Sequence, residues 1–420
     1  MKRLFLFLGA ILFASAMVAG DLFAFTFSHL PSFVRTQSRA ATISTVDSVY
    51  YNPVGLVKME NGIYLDLGDQ MGMRRYSHKF LLANYHDATP SFTIPNLGLA
   101  WKNDKGAIFM SVYVPAGGGT LNYVNNLGIG TLLLQPAIAG AGLPILPSKL
   151  KASSFWIQSS VGGSFAFTDW LAVTAGMRFN MYTYEQAIGY VGVGNISKLE
   201  RKGHGFSGFG GIMLTPTEKV NLTVLYSSKV IARGKEVDVK RHYSKIMEER
   251  LPDYILFGLN VKPVENIEIQ ASYQLSFAGQ KNYANTRGER LAYVGLTNLG
   301  NFAYADLLTP TVGGNSENYK YRNEHKMGLG AEFTLHKMFL MSLGVSYCTQ
   351  EKYTRAQNPF DPNLRNIGVG MGFKIKPTER FSIVLGAAKY TYFTVHMAFG
   401  LIKMNKSVWS FGIGLTAKVI

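Results

Sequence analysis

The sequence predicts an all-β protein, a membrane-spanning antiparallel barrel of about 14 strands with an N-terminal plug inside its lumen. Three observations predict it. Apolar residues alternate strictly with small or polar ones along many segments. The joins between those segments alternate between short and long. The chain is also apolar without offering a helix that could cross a bilayer: 47% of its 420 residues are hydrophobic and 16% charged, and no stretch after the leader is a continuous apolar run.

Residues 1–24 read as an export signal. Lys2 and Arg3 precede the apolar run Leu4 to Phe13, and small residues follow up to Ala24. Residues 25–61 come next and keep no strand period. Within them TISTVDSVYYNPVGL, 42–56, carries Asp47, Asn52, Pro53 and Gly55. Pro53 removes a backbone donor and steers Asn52 out of the helical region, so a compact irregular fold is expected.

From residue 62 to 420 the alternation takes over. In IEIQASYQLSF, 267–277, Ile267, Ile269, Ala271, Tyr273, Leu275 and Phe277 share one face. Glu268, Gln270, Ser272, Gln274 and Ser276 share the other. The stretch 367–376 sets Ile367, Val369, Met371, Phe373 and Ile375 against Gly368, Gly370, Gly372, Lys374 and Lys376. A soluble sandwich alternates too, but short joins (103–104, 168–169, 216–218, 263–264, 336–337, 377–379) and long ones (116–151, 187–202, 237–249, 284–317, 350–363, 396–405) take turns here. Short turns at one rim and long loops at the other belong to outer-membrane barrels. A barrel this wide leaves a lumen to fill, and residues 25–61 are what is available to fill it.

Several function classes receive no support. Lys and Arg give a net charge of +16 but form no runs, which argues against nucleic acid and for an anionic lipid or ligand. The single Cys348 excludes an internal disulfide framework and a Cys-rich metal site. No Gly-x-Ser-x-Gly or His-Glu-x-x-His spacing occurs, so neither an enzyme nor a cofactor is expected.

Taken together, the segments VDSVYYNPVGL, SVYVPAGGGTLNY (111–123), GHGFSGFGGIMLTPTEKVNLTVLYSSKV (203–230), LPDYILFGLNVKP (251–263) and SVWSFGIGLTAKVI resemble the FadL-type outer-membrane transporters of long-chain fatty acids and other hydrophobic compounds. The resemblance implies a 14-stranded barrel in the bacterial outer membrane. It implies an N-terminal hatch with Asp47, Asn52 and Pro53, capture of ligand by apolar outer loops, and a kinked strand opening sideways into the bilayer. The loop 116–151 supplies Leu127, Ile129, Leu132, Leu133, Leu134 and Ile138 for capture. The partners expected are a long-chain fatty acid or other hydrophobic ligand and outer-membrane lipid, with the barrel acting as a monomer.

An amphipathic anion needs donors for its head group as well as an apolar path. Strand parity puts Arg178, Lys229 and Lys374 on lumen faces. The family's basic residue at the start of the tenth strand falls on Arg322 in YKYRNEHKMGLG. Its second arginine falls on Tyr182, and Arg178, four residues earlier on the same face, substitutes for it. Two alternatives stay open: the same barrel carrying aromatic or other hydrocarbons, and an adhesin-like surface protein. The sequence departs from the family where the final period ends on Val419 rather than an aromatic residue, and where the region equivalent to the family's Ser-Pro-Val segment, Cys348 to Arg355, has no proline.

Overall fold

The computed structural model describes residues 30–420 apart from 81–82, 89–90, 125–147, 193, 240–241, 281–321, 351–362 and 398–401. Fourteen strands form one closed antiparallel wall. They are β1 (Gly62–Phe80), β2 (Ser91–Asn103), β3 (Gly106–Tyr123), β4 (Ser148–Ala166) and β5 (Leu171–Tyr190). Next come β6 (Gly194–Thr217), β7 (Val220–Ser227 with Val230–Asp238) and β8 (Tyr243–Leu251 with Tyr254–Val264). The set ends with β9 (Ile267–Ser276), β10 (Glu324–His336), β11 (Phe339–Cys348), β12 (Asn366–Thr378), β13 (Phe381–Tyr392) and β14 (Ile402–Lys418). Each pairs with the next, and β14 closes on β1 from Tyr64↔Lys418 to Phe80↔Ile402. Closure leaves no edge in lipid, where an unpaired backbone group is costly.

The faces sort as the alternation predicts. Outward positions are apolar and exposed, for instance Phe206 at 63% and Val161 at 61%, while polar side chains such as Asn260, Ser342 and Ser410 are fully buried inside. That inversion separates a membrane wall from a soluble sandwich.

Parts of several loops expected from the sequence are strand instead. In 116–151, β3 continues to Tyr123 and β4 starts at Ser148. In 187–202, β5 and β6 run on to meet at Tyr190↔Gly194. In 237–249, β7 and β8 meet at Asp238↔Tyr243. The outward face turns charged there (Lys198, Glu200 and Lys202 in β6) while Leu199 and Met247 point inward, so the outward apolar period that marks a membrane strand stops. The expected signal peptide 1–24, the expected loop 284–317 and the residues expected to capture ligand, Leu127, Ile129, Leu132, Leu133, Leu134 and Ile138, lie outside the described residues.

From Leu30 onward the N-terminal segment lies inside the wall. Helix α1 (Pro31–Thr36), helix α2 (Ser48–Tyr51) and a 3-10 turn, Pro53–Lys58, follow one another. Glycines on the lumen face explain how α1 fits. A Cβ at Gly344 would stand 1.9 Å from the Thr36 carbonyl oxygen, and one at Gly370 would stand 2.1 Å from that of Val34. Backbone thus packs directly on backbone. Gly344→Val is expected to displace α1 and destabilise by about 1–3 kcal/mol. Gly208→Val, where the nearest atom is 3.8 Å away, is the tolerated control. The thermal midpoint of the folded barrel on gels checks both.

Candidate functional site

The lumenal segment is held together by the motif that marks it. Asn52 is buried at φ −145°, ψ 69°, outside the helical region as the following Pro53 requires. Its Nδ2 donates to the Thr42 carbonyl at 2.8 Å. Gly55 completes the turn, since a Cβ there would meet the same oxygen at 2.3 Å. Pro53 starts the 3-10 turn, and its carbonyl accepts from Ser164 Oγ of β4 at 2.8 Å.

Charge ties this segment to the wall. Asp47 Oδ2 accepts from Arg39 Nη2 at 2.6 Å and Nε at 3.0 Å, and Thr45 donates to its other oxygen at 2.7 Å. Arg39 also reaches Glu332 of β10 at 3.4 Å, and Arg35 donates to Glu332 and Ser342. All four charged groups are buried. Burial pushes the Asp47 carboxyl up, but Arg39, then Lys374 and the Thr45 hydroxyl outweigh it and hold it at about 2. A depressed carboxyl stabilises the fold above its unfolded value of 3.8 and loses that contribution as pH falls toward 2. The pair therefore persists throughout the neutral range.

The wall is interrupted beside this segment. Pairing of β2 with β3 stops at Leu97↔Val112, while β2 runs on along β1 to Ser91. Beyond Val112, β3 pairs with β4 alone and shifts register twice, between Tyr113 and Ala116 and between Gly117 and Gly119. Pro115 has no N–H to offer β2, and Gly117 sits at φ +78°. Behind the break stand Ile94, Val114 and Val34, in one buried apolar cluster with Tyr390 and Val408. Above it a short strand, Ala83–His86, folds back on β1. Asp87 then accepts from the Asn122 amide of β3 at 2.8 Å and pairs with Arg74 of β1.

Higher in the lumen Tyr76, Tyr123, Trp156, Tyr182, Tyr184, Met247 and Met404 form a second apolar cluster. Trp156 and Tyr182 lie 4.8 Å apart.

The basic residues singled out from the sequence separate. Arg178 is buried, donating to Tyr254 OH at 3.0 Å and to Ser227, with its guanidinium 4.5 Å over the Phe209 ring. No carboxylate pairs with it among the described residues. Arg322 is exposed ahead of β10, where Nε donates to the Gln350 carbonyl at 2.9 Å beside Arg365 and His396. The neighbours described for Arg178 and for Arg322 are different residues in different parts of the barrel. Lys229 is exposed, not lumenal: the breaks at 228–229 in β7 and 252–253 in β8 flip the inward parity.

One cation escaped the sequence reading. Lys326 of β10 has its Nζ buried and without a hydrogen-bond partner among the described residues. It lies 4.5 Å over the Phe33 ring of α1 and lines a recess with Tyr51, Leu256 and Gln274. Its lumenal parity was legible, but not the absence of a partner.

The fold and site define a closed 14-stranded membrane-type barrel with an internal N-terminal segment and an interrupted wall. No family model matches the sequence, and no curated protein matches it. Solved structures do. A Pseudomonas aeruginosa FadL homologue aligns at TM-score 0.66 and 12% identity, over 96% of this chain and 100% of that one. The P. putida toluene transporter TodX aligns at 0.64 and 12%, over 91% and 96%. The Ralstonia pickettii toluene transporter TbuX aligns at 0.61 and 11%, over 93% and 98%. The fold is therefore the FadL type, as the motifs suggested.

Proposed function

We propose that this barrel is an outer-membrane channel through which hydrophobic molecules enter passively and leave sideways, with residues 25–61 as the hatch that blocks the direct path. The interruption between β2 and β3 carries the reading. A wall opening backed by Ile94, Val114 and Val34 suits a cargo that prefers lipid to water. The comparison structures, two of them toluene transporters, support a hydrophobic cargo.

Among hydrophobic cargoes we favour a fatty acid, because Lys326 offers a buried ammonium with no hydrogen-bond partner among the described residues. An unpaired buried charge is costly, and a ligand carboxylate would relieve that cost. Glu324 on the same face partly offsets the charge. The aromatic-hydrocarbon reading is favoured instead by the Tyr and Trp cluster above the segment. Ligand binding to the purified barrel separates the two. Lys326→Met is expected to weaken oleate by about 1.5–3 kcal/mol, at least tenfold, and to leave toluene unchanged. Arg322→Ala should change little. Unaltered oleate binding in Lys326→Met removes the head-group role, and a wild type that takes toluene but not oleate establishes the aromatic reading.

A further inference from the structure

We propose that the outer surface of β6, β7 and β8, just above the apolar belt, binds the phosphate of a lipid head group in the leaflet on the long-loop side. This rests on reading the barrel as an outer-membrane wall.

Lumen-facing residues fix the parity of these strand ends. Leu199, Ala232, Glu236, Met247 and Leu251 are buried, so the alternate residues face outward. On one outward rung Lys202 lies directly opposite Lys235. On the next, His204 lies opposite Arg233, which in turn faces Glu248. Like charges directly across a ladder repel, and here they occupy a site of contact.

Neutralisation within the protein is incomplete. Glu248 accepts from both Arg233 and Arg250 at 2.9 Å. Glu200 is taken up by Lys198 at 2.6 Å. Lys202 and Lys235 are exposed and have no hydrogen-bond or ion-pair partner among the described residues. Glu185, opposite Glu200, lies one rung further from the belt than Lys202.

The height of the patch gives the ligand class. One rung below His204 stands Phe206, 63% exposed and 5.0 Å from the Phe179 ring. Met181, opposite His204, is 47% exposed. Acyl chains that cover Phe206 and Met181 place their head group level with Lys202 and Lys235. A phosphate between the two ammonium groups turns their repulsion into charge-assisted hydrogen bonds. A free anion would gain nothing from the apolar belt, so a phosphorylated amphiphile fits best.

The test uses the purified, folded full chain in neutral detergent and follows its thermal midpoint. Lipid A should raise the wild-type midpoint by several degrees through preferential binding to the folded state. Dephosphorylated lipid A and inorganic phosphate should not. Lys235→Glu should start from a higher midpoint without lipid, because attraction to Lys202 replaces repulsion, and lipid A should then add nothing. An equal lipid A shift in wild type and variant overturns the proposal, as does an equal shift from the dephosphorylated lipid. A full shift from inorganic phosphate makes the site a free-anion site and overturns it as well. Oleate and toluene binding by the same preparations report separately on the channel reading: if they hold while the lipid shift fails, only this inference falls.

Discussion

Deleting Pro115 and Gly118 together is expected to lower uptake of a hydrophobic ligand at least tenfold while leaving a folded barrel. β3 carries two residues more than β4 across its two register shifts. Removing one from each restores one-to-one pairing and lets the strand rejoin β2 beyond Leu97↔Val112. The deletion also takes away the residue that cannot donate a backbone hydrogen bond. Nothing in the lumenal recess changes, so ligand binding to purified protein should persist while uptake of labelled ligand into cells stops. Wild-type uptake by the deletion variant would mean that cargo leaves by another route, and the sideways exit would have to be abandoned.

Glu332→Gln should loosen the N-terminal segment and make the barrel leak. Glu332 is the wall's carboxylate for two buried guanidiniums, Arg35 and Arg39, and Lys374 also acts on it electrostatically. Removing one partner from a buried charge network leaves the others uncompensated, at a cost of roughly 3 kcal/mol. Asp47 still holds Arg39, so the loss falls mainly on Arg35 and on α1. Single-channel recordings should show ion conductance that the wild type lacks, and cells should become sensitive to polar antibiotics. A variant as closed as wild type would show that backbone packing on the lumenal glycines holds the segment without the charges.

The wall was legible because a strand in a bilayer must present apolar side chains to lipid at every second position. Each strand read from residue 62 onward has its counterpart in the structure, in order. The reading failed at the outer ends of β5 to β8, where the strands leave the bilayer and the outward face turns charged while apolar residues such as Leu199 and Met247 point inward. It failed again at Lys229, because parity holds only along an unbroken ladder and the bulge there reverses it. The motif around Asn52 and Pro53 marked a compact turn correctly. The sequence could not show that Asn52 and Gly55 both close on the Thr42 oxygen.

The sequence by itself determined the antiparallel strands, their two faces, the glycines on the lumen face of β12, and the irregular segment before β1. These follow from local rules: the two-residue period, the missing donor of proline and the small size of glycine. Only the tertiary structure decided which groups meet. Arg35 and Arg39 find Glu332 almost three hundred residues away. Arg322 lands on a loop carbonyl, and Lys326 sits above Phe33 with no hydrogen-bond partner among the described residues. Strand register over long sequence separations sets those encounters, and no local pattern encodes it.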